Sequence, residues 1–234
     1  MEKRYKVLDL GCRTGSAIAS WRAAGDVVVG VDWEEFGQQI CGDFTKEETW
    51  EIIDNVVPIM GNPNWENAPY DFIWFSPDCS IFSVAGFQNG HFCPETYEPL
   101  TERAKREVEG IKFVIEKIKE RNPRFGWVME NPRGLMRKMP FVQDLDRATV
   151  SYCQYGDTRM KPTDLFGEIP WLFEPKLCKN GDSCHVAAPR GSRTGTQGMS
   201  KTDAGRIPFE LSFRLREAAI CSYHTKLMTL RDFQ

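Results

Sequence analysis

Two short stretches carry residue types that do covalent chemistry. "SPDCSIFS" (76–83) sets Pro77, Asp78 and Cys79 directly after the apolar run "YDFIWF", and "VMENP" (128–132) ends another apolar run on Glu130 and Asn131. A proline ends strand pairing and fixes the backbone, so a cysteine in such a corner is either a small apolar filler or a held nucleophile. Taken singly, Cys79 reads as packing and Glu130 as a capping or exposed acid. A carboxylic acid near a thiol makes sense if a substrate ring must be protonated while a thiolate attacks it. A third stretch, "VLDLGCRTGS" (7–16), is followed by "VGVDW" (29–33). Glycines let a backbone approach a ligand, and an acid ending the second strand can take ribose hydroxyls. The spacing from Gly15 to Asp32 fits one helix and one strand. The full dinucleotide fingerprint is missing, which disfavours NAD. Trp33 either stacks on an adenine or belongs to the core.

The elements that must hold these residues alternate. Strands are expected over 5–10, 27–32, 70–76 and 125–132, and helices over 17–25, 45–57, 101–123 and 212–228. The clearest is the helix over 101–123, with Val108, Ile111, Ile115 and Ile118 on one stripe and Pro123 to stop it. Such alternation implies an α/β fold with a mainly parallel sheet wrapped by helices, whose ligands sit at the carboxyl ends of the strands. Gly11, Asp32, Cys79 and Glu130 all fall at such ends. From 162 the pattern breaks, and "GDSCHVAAPRGSRTGTQGMSKTDAGR" (181–206) is rich in Gly, Ser and Thr. Residues 162–206 are therefore expected to lie outside the main sheet, with 1–161 and 207–234 forming the principal domain.

The chain has 234 residues, 41% hydrophobic and 27% charged, which supports a core and excludes a wholly disordered chain. No apolar run reaches the roughly 18 residues of a membrane span, and no signal sequence is visible, so a cytoplasmic location is expected. Eight cysteines in a reducing compartment read as thiols or metal ligands rather than disulfides. The net charge is -3, so any contact with nucleic acid must be local.

These residues resemble the DNA (cytosine-5) methyltransferases. "SPDCSIFSVAG" is similar to the Pro-Pro-Cys-Gln motif of that family and the Phe-Ser that follows it, and "ENPRG" to its Glu-Asn-Val motif. "DLGCRTG", "VGVDW" and "ICGDF" resemble its cofactor motifs in the same order. "YGDTRMK" (155–161) resembles its Gln-x-Arg-x-Arg motif, and "FRLREAAICSY" (213–223) its Arg-Glu-Ala helix. The resemblance spans most of 5–223 and implies a Rossmann-like methyltransferase sheet with a small target-recognition insertion, 162–206. It implies that Cys79 adds to C6 of a flipped cytosine, that Glu130 protonates N3, that Asn131 orients Glu130, and that Arg159 or Lys161 contacts O2 or a phosphate. It further implies S-adenosyl-L-methionine as cofactor, held by Asp9, Gly11, Gly15, Asp32, Trp33, Asp43 and Pro77. Double-stranded DNA is the implied partner, contacted by Ser83, Arg133, Arg190, Arg193 and Lys201 over a site of two to four base pairs. A monomer of bacterial or phage type is expected. RNA as substrate, a modified sulfonium donor and a binding-only homologue are the rival readings.

The departures are specific. Asp78 and Ser80 stand where the family has Pro and Gln, Gly11 where it has Phe, and Lys161 where it has Arg. The family's final motif, which closes the cofactor pocket, is not recognisable. "CKNGDSCH" (178–185) raises a metal question: Cys178, Cys184 and His185 can ligate zinc, but the spacing is not a standard finger and Cys153 is only a candidate fourth ligand. Plain loop residues are the expectation there.

Overall fold

A computed structural model describes residues 4–59, 70–187, 196 and 198–231. Seven strands form one sheet: β1 (Lys6–Leu10), β2 (Val27–Asp32), β3 (Ile40–Cys41), β4 (Phe72–Phe75), β5 (Trp127–Pro132), β6 (Asp146–Ser151) and β7 (Pro162–Glu168). Their order is β3-β2-β1-β4-β5-β7-β6. The pairings from β3 to β5 are parallel, while β7 runs antiparallel to both β5 and β6.

Strand alternation splits the buried side chains between two faces. On one face Leu8, Leu10, Ile73, Phe75, Trp127 and Met129 pack against Trp50 and Ile53 of α2 (Glu47–Ile59) and Val108, Ile111, Ile115 and Ile118 of α4 (Glu102–Arg121). On the other, Val7, Phe72, Trp74 and Val128 meet Trp21 of α1 (Ala19–Ala23) and Leu211 and Leu215 of α6 (Phe209–Arg231). The expected stripe of α4 is thus its buried face. Thr101 caps the helix by accepting from the Ala104 N–H, and Asn122, left-handed at φ 41°, ends it before Pro123. A short α3 (Val84–Gln88) follows β4, and α5 (Lys201–Gly205) precedes α6.

The chain does not leave the sheet at residue 162. Pro162–Glu168 is β7, central between β5 and β6, so the expected boundary of the insertion is wrong by at least one strand. "PTDLFGE" hides its strand character because its polar groups are satisfied inside. Asp164, 1% exposed, is ion-paired with Arg137 and accepts from the Thr149 hydroxyl at 2.7 Å. Residues 169–187 contain neither helix nor strand. Among the described residues no helix is long and apolar enough to cross a membrane.

Candidate active site

The carboxyl ends of β1, β2, β4 and β5 open on one edge of the sheet, and the chemistry-bearing residues gather there. Cys79 follows β4 through Ser76, Pro77 and Asp78 and starts the 3-10 turn Ser80–Phe82. Asp78 is engaged by its own neighbours. It accepts from the Ser80 N–H (2.9 Å) and hydroxyl (3.0 Å) and lies 3.6 Å from Arg103 of α4. The loop after β5 closes onto the one after β4: the Leu135 N–H donates to the Phe82 carbonyl at 2.8 Å. Gly134 permits this, since a Cβ there would stand 2.5 Å from the same carbonyl oxygen.

Cys79 has an exposed face, yet protein crowds its sulfur. That desolvation first, then the Glu130 carboxylate and more weakly Asp78, push the thiol up to about 11, with Lys161 pulling it down. Glu130 is 7% exposed. It accepts a hydrogen bond from the Tyr152 hydroxyl at 2.8 Å, and Lys161 Nζ lies 3.8 Å from the same oxygen, Oε1. Lys161 is itself buried, with Nζ 4.5 Å from the centre of the Tyr152 ring. Tyr152 thus supports both the acid and the cation. It escaped the sequence reading because a tyrosine after a strand looks like core.

Asn131 does not hold Glu130. Its amide donates to the Pro132 carbonyl at 2.7 Å, and its buried Oδ1 has no hydrogen-bond partner among the described residues. Arg159 is committed elsewhere: it is ion-paired with Asp157 and donates to the carbonyls of Asp203 (3.0 Å), Ala204 (3.1 Å) and Arg206 (3.2 Å). Of the two expected cations, Lys161 alone lies beside Glu130.

A nucleotide-type site adjoins. Gly11 has φ 78°, and a Cβ on it would meet the Ser76 carbonyl oxygen at 2.2 Å, so β1 and β4 leave room for backbone only. Asp32, 2% exposed, accepts from the Arg13 N–H (3.0 Å) and the Glu34 N–H (3.3 Å) at the end of β2. Trp33 is 67% exposed, so it is not core and its ring is open for stacking. Asp43 is exposed and folded into a local turn, accepting from the Thr45 N–H and hydroxyl. Asp9 lies wholly buried in β1, and neither of its oxygens has a hydrogen-bond partner among the described residues. Burial pushes its carboxyl up to about 8, with Arg22 opposing and Asp32 reinforcing. A buried carboxyl with orphaned oxygens, a glycine turn that admits backbone only and an open aromatic ring fit a nucleoside cofactor. The segment before α6 abuts this turn: the Ile207 N–H donates to Ser16 Oγ at 3.0 Å.

The expected DNA contacts lie on several segments, with those of Ser83 and Arg133 joined by the Leu135–Phe82 hydrogen bond. Ser83 caps α3, accepting from the Gly86 N–H at 3.0 Å. Arg133 is exposed on the loop after β5, and Lys201 is exposed at the start of α5. Arg190 and Arg193 lie outside the described residues. The four candidate ligands Cys153, Cys178, Cys184 and His185 do come together.

No protein-family model and no curated protein matches the chain. Among solved structures it is similar to the methyltransferase EhMeth of Entamoeba histolytica, at 9% identity and a TM-score of 0.50 over 76% of this chain and 58% of that one. The Dnmt2 methyltransferase of S. pombe matches at 12% identity and a TM-score of 0.45 over 70% of this chain. A SAM-dependent methyltransferase of Agrobacterium tumefaciens matches at 17% identity and a TM-score of 0.37 over 71% of it. The chain has a Rossmann-like methyltransferase fold. It spans 49% of the Dnmt2 chain and 58% of the EhMeth chain.

Proposed function

We propose that the chain is a DNA cytosine-5 methyltransferase using S-adenosyl-L-methionine, and that Cys79 is its covalent nucleophile. The observation that carries the reading is the placing of Cys79 and the buried Glu130 carboxyl at the adjoining carboxyl ends of the paired strands β4 and β5.

Cytosine C5 is a poor nucleophile. Cys79, once deprotonated, forms a bond from sulfur to C6, and the displaced π electrons pass towards C5 and N3. Glu130 protonates N3, and Tyr152 and Lys161 hold the carboxyl in place for it. Asp9, Gly11 and Asp32 would hold S-adenosyl-L-methionine, which would supply the electrophilic methyl group for C5, its sulfonium S–C bond breaking to leave S-adenosyl-L-homocysteine. Loss of the C5 proton then returns its electron pair to the ring and expels Cys79 as thiolate. A duplex hides C5 and C6, so the base must be flipped out at a cost of a few kcal/mol. Lys201, Arg133 and the segment holding Arg190 and Arg193 are assigned to the DNA, with the protein acting as a monomer.

The test is incubation with cofactor and duplex DNA containing 5-fluorocytosine. Fluorine cannot leave as the proton does, so the adduct survives denaturation. Cys79→Ser abolishes it, while Cys93→Ser leaves it. An adduct on fluorinated RNA alone moves the substrate class to RNA. No adduct in any cytosine context, with no methyl at C5, removes the catalytic reading.

A further inference from the structure

We infer that Cys153, Cys178, Cys184 and His185 form a structural zinc site tying the segment after β7 to the end of β6. Cys153 lies in the 3-10 turn Tyr152–Tyr155 that follows β6, while the other three lie in the irregular segment beyond β7. Their ligand atoms all fall within 4.8 Å of one another. Cys153 Sγ is 3.1 Å from Cys178 Sγ and 3.5 Å from Cys184 Sγ, and His185 Nδ1 is 3.6 Å from Cys178 Sγ and 3.7 Å from Cys184 Sγ. A tetrahedral zinc with Zn–S near 2.3 Å and Zn–N near 2.0 Å sets S···S edges at about 3.8 Å and S···N edges at about 3.5 Å. Both S···S distances are shorter than that edge and both S···N distances slightly longer, so the sulfurs must spread by only about half an ångström to admit the ion. Three soft sulfurs and one imidazole are a zinc ligand set, and four protein ligands leave no open position for catalysis.

The surroundings explain why a metal belongs here. The segment 176–187 carries few large apolar side chains and is held to the body by scattered hydrogen bonds. The Ser151 N–H donates to the Lys176 carbonyl (2.9 Å), the Cys178 N–H to Ser151 Oγ (3.1 Å), and the Val186 N–H to the Thr158 carbonyl (2.9 Å). Such a stretch cannot bury enough apolar surface to order itself, and metal binding supplies that ordering free energy. Cys153 is also the residue next to Tyr152, the donor to Glu130. The site therefore anchors one end of the segment beyond β7 one residue from the support of the candidate acid. It does not depend on the chain being a methyltransferase.

The experiment is elemental analysis of the full chain, expressed with zinc and purified without chelator. One zinc per chain is expected. Replacement by cobalt(II) should give the visible bands of a tetrahedral ion with a thiolate charge-transfer band. Cys153→Ser and Cys178→Ser should lose the metal, and Cys93→Ser and Cys221→Ser should keep it. If the ligand variants do not fold, the zinc content and cobalt spectrum of the unmodified chain decide. A metal-free chain that gives no tetrahedral cobalt spectrum overturns the inference. So does a Cys153–Cys178 disulfide found after alkylation and mass spectrometry, an iron–sulfur chromophore, or full zinc in both ligand variants.

Discussion

The Tyr152 hydroxyl donates to Glu130 Oε1 at 2.8 Å, and both residues are buried. Glu130 comes from β5, inside the sheet, and Tyr152 from the turn closing β6. The bond crosses β7, and with Lys161 it fixes a carboxyl that would otherwise be buried without a partner.

Tyr152→Phe keeps the ring and removes only the donor. Hydrogen bonds to charged groups contribute about 1.5–3 kcal/mol, so adduct formation should slow by roughly 10–100-fold while affinity for DNA is unchanged. Single-turnover kinetics and a binding titration check this. An unaffected rate would show that Glu130 is positioned without the tyrosine.

A thiol raised to about 11 is almost wholly protonated at neutral pH. If thiolate attack limits turnover, the single-turnover rate should climb about tenfold per pH unit from roughly 7 to 9. Lys161 lowers that thiol, so Lys161→Met should move the whole profile to higher pH. A flat profile in the unmodified chain would mean that the proton leaves Cys79 inside the bound complex.

Asp9 should make the free protein less stable as pH rises. Its carboxyl is raised from 3.8 to about 8 in the folded chain, so between those values the folded state holds a proton that the unfolded state has lost. Stability therefore falls across roughly pH 4 to 8. Asp9→Asn removes this dependence and should raise the melting temperature at pH 8. The same change should weaken cofactor binding, read by calorimetry. Equal stability slopes in the two proteins would place the proton elsewhere.

Gly11→Ala and Gly25→Ala separate backbone conformation from close approach. Both glycines have φ near 80°, but a Cβ meets the Ser76 oxygen at 2.2 Å in the first case and nothing within 4 Å in the second. Gly25→Ala should cost about 1 kcal/mol for its left-handed backbone, and Gly11→Ala several times that, measured by urea unfolding. Equal costs would mean that β1 and β4 separate freely.

The parallel half of the sheet was legible because β1, β2, β4 and β5 are apolar runs ending in Gly, Pro or an acid, and α4 repeats its apolar residues at helical spacing. Cys79, Glu130, Gly11 and Asp32 were legible as strand-end residues for the same reason. The strands β3, β6 and β7 were not. Asp146 and Arg147 are exposed on an outer strand, and Asp164 is neutralised by Arg137, a partner far away in sequence. The parts given to Asn131 and Arg159 do not match their contacts, because spacing within a motif says nothing about which neighbour takes a hydrogen bond first. Cys153 joined Cys178, Cys184 and His185 only through the hairpin of β6 and β7.

The reversed direction of β7 has a consequence for how this chain can change length. Because β7 starts beside the end of β5, with Thr163 opposite Pro132, Lys161 arrives next to Glu130. A parallel strand of the same length would deliver it to the opposite edge, roughly 20 Å away at about 3.3 Å per residue. One residue gained or lost within β7 would also turn its alternate side chains to the wrong face. Insertions and deletions between 162 and 168 should thus be purged in descendants of this chain.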